Sequence, residues 1–445
     1  MDNIKRALQR TTDTKDCVIG AGAVSRSAEV FLRMFAGHKA IVVADTNTWE
    51  VAGRRVFELF DAAGIEQEEA FIFDAEHLYA EWSYVEQLRE RLGATEAVAV
   101  AVGSGVINDL CKYVSSLFSR KYMCVGTAAS MDGFTAYGAS ITKDGNKQTF
   151  SCPAPYAFVM DSLIAARAPK ELAASGYADL IAKIPAGADW ILADCVGAEK
   201  IDPFVWDLVQ SDLKSSLDSP KAIFRGNVKK TEGLCKGLLM SGFAMQAMQS
   251  SRPASGTEHQ FSHFWDMEGL SYPDGHHVSH GFKVGIGTLV STAALEYLLE
   301  RGVAVDVEDC VRRWPSWEAM EADIRILCEG RPGHLARCME ESAAKYPSQE
   351  ELRSQILALQ QNWSRVSSEI RKQILSLREI RSSLRDVGAP YEPEMICVSR
   401  EHLKETLDFI PYMRSRFTAM DVLYRLGYLE DFKRSLFGKG GIWEI

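Results

Sequence analysis

The first third of the chain alternates short apolar runs with amphipathic segments. Five runs rich in β-branched and small apolar residues are predicted to be strands, at residues 40–45, 70–73, 97–102, 122–126 and 157–161. Between them, residues 51–64 and 84–93 carry apolar side chains at helical spacing. Apolar strands separated by helices are typical of a parallel sheet covered on both faces, with ligands bound beyond the carboxyl ends of the strands.

After about residue 166 the strand pattern stops and long helical patterns follow, such as residues 229–250 and 281–301. We therefore predict an α/β N-terminal domain with a parallel sheet over residues 1–165 and an all-α C-terminal domain over residues 166–445. The cleft between two such domains is the usual place for a small-molecule site, so we expect the active site there.

One amphipathic segment, residues 348–386, is predicted to be a single long helix and is a candidate insertion. Ser348 and Glu351 form the capping-box pattern that begins a helix, and Gly388 and Pro390 follow its end. Its apolar stripe consists of Leu352, Ile356, Leu359, Trp363, Val366, Ile370, Leu377 and Leu384. We expect this stripe to serve core or subunit packing rather than a site.

The bulk composition narrows the class of protein. At 445 residues the chain exceeds the size at which one hydrophobic core stops growing, which agrees with two domains. Its formal net charge of −10 disfavours a nucleic-acid partner, because such proteins usually present a basic face. A few local Lys or Arg residues would still suffice to bind one anionic substrate.

The apolar runs and the cysteines both indicate a cytoplasmic protein without a membrane partner. No apolar run approaches bilayer length, and the polar N-terminus MDNIKRALQRTTDTKD lacks the apolar core of a signal peptide. The ten cysteines include no CxxC pair, a pattern typical of reduced thiols rather than of disulfides or a zinc ribbon.

A cluster of histidines is the most informative chemical feature. Five of the nine histidines lie between residues 259 and 280, namely His259, His263, His276, His277 and His280. The first two are four residues apart and would share one face of a helix. Imidazole is the commonest ligand for transition metals, and a catalytic ion usually takes three protein ligands. Hydrogen-bonded interface histidines are the alternative interpretation, and spacing alone selects no carboxylate as third ligand.

Several longer motifs resemble a known family. They are GSGVINDLCKY from Gly103, GTAASMDGFTA (126–136), SGYADLIAK (175–183), SRPASGTEHQFSHFWDM (251–267) and VGAPYEPEMICVSRE (387–401). Together they resemble the sn-glycerol-1-phosphate dehydrogenases, within the superfamily of iron-containing alcohol dehydrogenases, glycerol dehydrogenase and dehydroquinate synthase. The resemblance implies a Rossmann-like domain, a helical domain and one divalent metal ion, zinc or nickel, per subunit.

The resemblance also implies which residues act on metal and substrate. The metal ligands would be Asp179, His259 and His280, and Asp179 would contact the substrate as well. His263 and Asp132 are further implied substrate contacts. Asp179, His259, His280 and His263 are thus the candidate catalytic residues.

The cofactor residues follow from the same resemblance. They are Gly105, Val106, Ile107, Asn108 and Asp109 under the pyrophosphate and nicotinamide, with Thr127, Ala128, Ala129 and Ser130 in the adjoining loop. Physically, the turn at Gly103 follows an apolar strand and begins a helix, whose N–H groups and dipole attract phosphate. Asp45 ends its own strand, where it would bind a ribose hydroxyl and favour NAD(H) over NADP(H). Either cofactor occurs among relatives of the family.

The expected reaction is the reversible reduction of dihydroxyacetone phosphate to sn-glycerol 1-phosphate by hydride transfer to a metal-polarised C2 carbonyl. Arg252 is the candidate for the substrate phosphate, because a guanidinium fork matches phosphate geometry. A salt bridge at a helix end is its alternative role. His263 or His277 would supply a proton through water. The expected partner is a small phosphorylated substrate, and the chain is expected to form a homo-oligomer, a dimer or larger.

Three alternative functions stay open at this point. The same fold would serve an unphosphorylated polyol such as glycerol, or a cyclisation like that of dehydroquinate synthase. A non-catalytic binding relative is the third hypothesis, and the intact set of Asp179, His259 and His280 argues against it.

Overall fold

The computed structural model of the chain describes residues 3–144 and 146–445. Within these residues the strands are β1 (Asp16–Gly20), β2 (Ala40–Asp45), β3 (Phe71–Phe73), β4 (Val98–Gly103), β5 (Met123–Gly126), β6 (Ala139–Lys143), β7 (Asn146–Phe150) and β8 (Ala157–Asp161). Six of them form one parallel sheet in the order β1-β8-β5-β4-β2-β3, and β6 pairs with β7 as an antiparallel hairpin. All five predicted strands are confirmed to within one residue at each end.

The strands that the sequence did not predict are β1 and the hairpin. In β1 only the middle residue, Val18, is buried, because this strand lies at an edge of the sheet. By contrast every residue of β4 is buried, as expected for a central strand with both faces covered. The apolar signal of an edge strand is correspondingly weaker.

The parallel register brings the carboxyl ends of the strands to a common edge. Gly103 of β4 pairs with Gly126 of β5, and Gly20 of β1 pairs with Asp161 of β8. The backbone N–H of Thr127 also donates to the carbonyl of Gly103 at 3.1 Å. The predicted cofactor segments therefore start side by side at this edge.

The core of the α/β part is built on the central strands. Phe31 and Phe60, from one helix before and one helix after β2 in the sequence, have ring centroids 4.9 Å apart. They pack with Val42, Val100 and Val125 of the sheet in one buried cluster.

The rest of the described chain is mainly helical. The helices up to residue 248 are α1 (Asn3–Leu8), α2 (Ser27–Met34), α3 (Thr46–Thr48), α4 (Arg54–Ala62), α5 (Trp82–Gly93), α6 (Gly105–Leu117), α7 (Ser162–Arg167), α8 (Lys170–Ile181), α9 (Lys183–Cys195), α10 (Pro203–Gln210), α11 (Leu213–Ser216), α12 (Pro220–Phe224) and α13 (Val228–Met248). The later ones are α14 (Thr257–Met267), α15 (His280–Arg301), α16 (Val307–Arg313), α17 (Trp317–Leu327), α18 (Pro332–Lys345), α19 (Gln349–Gln373), α20 (Leu377–Val387), α21 (Arg400–Phe409), α22 (Ala419–Arg425) and α23 (Leu429–Phe437). Short 3₁₀ turns lie at Ala23–Arg26, Arg252–Ala254, Pro393–Ile396 and Ile410–Tyr412, and a π-helical turn lies at Trp49–Gly53.

The chain divides into two compact units. The first comprises Met1–Leu180, Phe204–Ser251 and Asp386–Ala389, and the second comprises Ile181–Pro203, Arg252–Arg385 and Pro390–Ile445. The first contains the parallel sheet, and the regular elements of the second, among described residues, are helices. This confirms the predicted fold class. The last strand ends at Asp161, close to residue 165, where the sequence placed the end of the first domain. The domain boundary at residue 165 stays a prediction.

The single helix predicted over residues 348–386 is wrong in one respect. Its start is confirmed, because Ser348 and Glu351 form the predicted capping box at the beginning of α19. However, α19 ends at Gln373, and α20 begins only at Leu377. At the break Glu379 accepts hydrogen bonds from the backbone N–H of Ser376 at 2.8 Å and from its hydroxyl at 2.6 Å. A second capping box therefore starts a second helix.

One helix, α15, is long and apolar enough to cross a membrane by length and composition alone. Within the structure, 78% of its apolar stretch is buried, which is typical of a core helix.

Candidate metal and active site

Two adjacent helices carry the histidine cluster. His259 and His263 lie one turn apart on α14, as the sequence predicted, and His280 is the first residue of α15. Gly287 of α15 has no room for a Cβ, because that atom would collide with the backbone of Glu258. This close approach leaves the rings of His259 and His280 with centroids 5.4 Å apart.

Asp179, on α8, completes the cluster. Asp179, His259 and His280 each offer one ligand atom, and these atoms all lie within 4.8 Å of one another. Two imidazole nitrogens and one carboxylate are a donor set that suits a catalytic divalent transition metal with an open coordination position. The three residues named from the resemblance are therefore brought together, and their chemistry fits such an ion.

Each of the three side chains has a hydrogen-bond partner that fixes its orientation. The Nδ1 atom of His259 lies 2.8 Å from Oε1 of Glu258, and Nδ1 of His280 lies 3.2 Å from the hydroxyl of Ser262. Oδ2 of Asp179 accepts the backbone N–H of Asp132 at 2.9 Å. In both histidines the hydrogen bond is made at the Nδ1 atom, and such partners orient an imidazole that serves as a metal ligand.

Two buried acids hold the N-terminus of α14. Glu258 accepts the N–H of Gly256 at 2.6 Å, and Asp189 accepts the N–H groups of Thr257 and Ala419, both at 2.7 Å. Both carboxyl groups are fully buried, and burial raises the pKa of each to about 7. The charge of Glu258 raises the pKa of Asp189 further. These hydrogen bonds satisfy backbone donors that a helix start leaves without intrahelical partners.

His263 faces a positive charge. Its Nε2 atom lies 3.1 Å from Nη1 of Arg414. Burial, followed by the charge of Arg414, lowers the pKa of His263 well below its ordinary value. The ring is therefore neutral near pH 7 and accepts a hydrogen bond from the guanidinium group.

His276 and His277 lie apart from this arrangement, in an exposed turn. The turn is closed by the N–H of Tyr272, which donates to the carbonyl of His276 at 2.8 Å. Nδ1 of His277 lies 3.2 Å from the hydroxyl of Ser271. Of the five clustered histidines, three thus lie on α14 and α15 and two lie in the exposed turn.

The predicted cofactor turn and the adjoining loop are in contact. Ser104, which precedes the first residue of α6, has its hydroxyl 2.9 Å from that of Ser130. Gly105 and Val106, at the start of α6, are partly exposed. The loop residues Thr127, Ala128, Ala129 and Ser130 are each at most 9% exposed.

Several predicted cofactor side chains have partners within the protein. Asn108 accepts a hydrogen bond from the hydroxyl of Tyr122 at 3.0 Å, and Asp109 accepts the N–H of Ser140 at 3.1 Å. Ile107, Asn108 and Asp109 are buried. Asp45 accepts N–H groups of Asn47 and Thr48, both at 2.9 Å, as the cap of α3. The side chains of Asn108, Asp109 and Asp45 are thus engaged within the protein.

A buried lysine holds the loop that carries Asp132. The ammonium group of Lys112 donates to the carbonyls of Gly133, Ala136 and Gly138 at 2.8, 2.9 and 3.0 Å. Its side chain has no exposed surface. Three charge-assisted hydrogen bonds from one side chain fix residues 133–138 directly after Asp132.

The same loop is packed against α8 through a glycine. A Cβ at Gly176 would collide with the carbonyl of Ala129, so only glycine allows this approach. One turn further along α8, Asp179 reaches the N–H of Asp132, whose own carboxylate accepts a 2.8 Å hydrogen bond from Ser241. The close approach of Ala129 thus explains why the motif SGYAD has glycine at position 176.

Comparison with known proteins places this chain in a family. A model described as iron-containing alcohol dehydrogenase matches residues 18–169. The chain is 35% identical over 254 residues to a glycerol-1-phosphate dehydrogenase (NAD(P)+) of Halalkalibacterium halodurans, covering 57% of this chain and 63% of the relative. It is 32% identical over 326 residues to the protein of that name from Geobacillus stearothermophilus, covering 71% of this chain and 79% of the relative. The chain belongs to the glycerol-1-phosphate dehydrogenase family.

The extent of these likenesses differs. The alignment with the H. halodurans glycerol-1-phosphate dehydrogenase covers slightly less than two thirds of that relative. Among solved structures, the glycerol dehydrogenase of Schizosaccharomyces pombe aligns with a TM-score of 0.60 over 96% of this chain and 91% of that chain, at 16% identity. At this identity the structural likeness shows the fold alone.

One prediction for this glycerol-1-phosphate dehydrogenase family member needs correction. Arg252 was the candidate for the substrate phosphate, yet its side chain is fully buried. Its Nη1 donates to the carbonyl of Phe417 at 3.0 Å, and its Nε lies 3.5 Å from Glu199. Burial lowers the pKa of this arginine. The structure therefore gives Arg252 its alternative role, an ion pair that supports the fold.

Sequence reasoning missed several residues of this family member's site. Glu258 and Ser262 lie inside the quoted motif EHQFSH, where their spacing from the histidines was a usable signal. Lys112 is a charged residue on the buried face of α6, which was also a signal. Asp189 and Arg414 gave none, because their contacts come from distant parts of the chain.

Proposed function

We propose that this chain is a metal-dependent NAD(P)H dehydrogenase that interconverts dihydroxyacetone phosphate and sn-glycerol 1-phosphate. Its membership of the glycerol-1-phosphate dehydrogenase family supports the substrate. The observation that carries the proposal is the convergence of Asp179, His259 and His280 within 4.8 Å, each oriented by a hydrogen bond.

The proposed roles follow the donor chemistry of these residues. Asp179, His259 and His280 would hold one divalent ion. When bound, the ion would supply Lewis-acid polarisation of the C2 carbonyl and NAD(P)H the hydride. Asp132 and His263 would contact the substrate, and His263, being neutral, would accept a hydrogen bond rather than act as a cationic acid.

The cofactor would bind at the common edge of the sheet. The start of α6, at Gly105 and Val106, would place backbone N–H groups near the pyrophosphate. Residues 127–130 would line the other side, because Ser130 contacts Ser104 there. Asp45 is partly exposed at the end of β2, as a ribose contact requires.

We infer zinc or nickel, since imidazole and carboxylate suit both ions. We also infer a homo-oligomer and a cytoplasmic location, the latter supported by ten cysteines that all lie in the described residues and are all free.

The direct test is NADH oxidation with dihydroxyacetone phosphate after removal of metal with a chelator and after readdition of Zn²⁺ or Ni²⁺. Activity should be lost on stripping and should return with one of the ions, and the product should be the sn-1 isomer. Product of the opposite chirality, or activity indifferent to metal, would contradict the proposal. His276→Ala serves as a control, because His276 belongs to the same sequence cluster but is exposed on the turn.

A second comparison separates this function from that of an unphosphorylated polyol dehydrogenase. Dihydroxyacetone should be a much poorer substrate than its phosphate at equal concentration. Equal turnover of both would favour a glycerol dehydrogenase activity instead.

A further inference from the structure

With Arg252 buried in the fold, the proposed substrate leaves its phosphate without an assigned residue, and Arg414 is placed to take that role. Nη1 of Arg414 lies 3.1 Å from Nε2 of His263. His263 is four residues beyond the proposed ligand His259 on α14, about 6 Å along the helix axis. The guanidinium group thus lies next to the candidate site and one helical turn beyond a proposed metal ligand.

The segment that carries Arg414 is irregular but firmly held. It lies between the 3₁₀ turn Ile410–Tyr412 and α22. Arg252 donates to the carbonyl of Phe417 at 3.0 Å, and Arg416 donates to the carbonyl of Ser255 at 2.8 Å. The N–H of Ser415 donates to Glu341 at 2.6 Å. These contacts fix the backbone on the C-terminal side of Arg414, which pre-organises its position.

Glu341, on the neighbouring helix α18, is an acid whose charge interacts with that of Arg414. It is also paired with Arg337 at 2.6 Å and accepts the N–H of Ser415, so Arg414 is not the sole cation that balances it. Arg414 itself is half-buried, and burial makes a hydrogen bond from a guanidinium group to an anion stronger than it is in water. His263 presents a neutral ring to the guanidinium group, so it neither competes for an anion nor repels one.

We propose that Arg414 binds the phosphate monoester of the substrate and sets the preference for phosphorylated over unphosphorylated ketones. This inference rests on the proposed function, since it names the residue that recognises that substrate's charge. His263 would be the residue that connects the phosphate end of the site to the metal end. Arg252 would act one step away, as a positioning residue that holds the segment of Arg414 through Phe417.

The test compares kcat/KM for dihydroxyacetone phosphate and for dihydroxyacetone in the metal-loaded enzyme with NADH. Arg414→Met keeps much of the apolar stem and removes the charged fork. We expect a loss of roughly 10–100-fold on the phosphorylated substrate, mainly through KM, and little change on dihydroxyacetone. Arg414→Lys should recover part of the loss, because it restores the charge without the fork. Arg353→Met, which removes an exposed ion pair with Glu308, is the matched control.

A binding measurement keeps the test independent of turnover. Inorganic phosphate, titrated by calorimetry into the metal-loaded protein without NADH, should bind the wild type and bind Arg414→Met at least 10-fold more weakly. Equal losses on both ketones, or unchanged phosphate binding, would overturn the role of Arg414. If the wild type itself shows no preference for the phosphorylated ketone, the proposed function fails. The substrate preference of the wild type therefore distinguishes failure of the proposed function from failure of the role of Arg414.

Discussion

At the scale of single residues, the candidate site depends on the partners of its three proposed ligands. Glu258, Ser262 and the N–H of Asp132 each hydrogen-bond to the side chain of one proposed ligand. Such partners fix the tautomer and the direction of a ligand before any ion arrives. The histidines themselves were predicted from the sequence, but these contacts depend on tertiary structure.

The first residue-scale prediction concerns Glu258. Glu258→Gln keeps the size of the side chain but weakens the hydrogen bond that orients His259. We expect the affinity for Zn²⁺ to fall roughly 10–100-fold, measured by competition with a chelator. Glu268→Gln, which alters an acid paired with His402 at the far end of α14, should leave the affinity unchanged. An unaltered affinity in Glu258→Gln would show that His259 does not depend on this carboxylate.

The second residue-scale prediction concerns pH. The pKa of Asp189 is raised to about 7 in the folded protein. The unfolded chain therefore releases this proton at a lower pH than the folded protein does. The folded state loses stability as the pH rises from the unfolded pKa of the group through 7. The free energy of unfolding of the metal-free wild type should fall between pH 5 and pH 8, relative to that of Asp189→Asn. Chemical denaturation across this range measures the difference. A difference that stays constant, or that grows in favour of the wild type, would contradict the assignment.

At the scale of elements, the sequence predicted what apolar pattern alone determines. The strands β2 and β4 were evident because nearly all their residues are buried. The edge strand β1 and the break between α19 and α20 were missed. At that break a local signal existed, since Ser376 and Glu379 repeat the capping box of Ser348 and Glu351, but a continuing apolar stripe concealed it.

The element-scale prediction concerns Lys112 and the loop that it holds. Lys112→Met leaves the carbonyls of Gly133, Ala136 and Gly138 without their donor, and one buried unsatisfied acceptor costs about 1–3 kcal/mol. We expect a loss of at least ~2 kcal/mol in the free energy of unfolding, together with weaker metal binding, because the loop carries the N–H that orients Asp179. Lys121→Met removes an exposed lysine nearby and should do neither. Full stability in Lys112→Met would show that water replaces the ammonium group.

At the scale of the whole molecule, the family of the chain and the donor set of the candidate metal site support the same proposed function. The chain carries a net charge of −10, yet its proposed substrate is an anion, so binding must come from a few placed cations. The sequence suggested Arg252, whose contacts with Phe417 and Glu199 could not be foreseen from residues far away in the chain. Asp179 was chosen through family resemblance, since spacing alone did not distinguish it from the other acids.

The central claim is that Asp179, His259 and His280 form one metal centre, and metal content tests it most directly. Wild-type protein loaded with Zn²⁺ or Ni²⁺ and freed of excess ion should retain about one ion per chain by elemental analysis. Asp179→Ala, His259→Ala and His280→Ala should each lose that ion and NADH-dependent turnover while keeping the wild-type circular dichroism spectrum. A folded variant that retains both the ion and turnover would contradict the account.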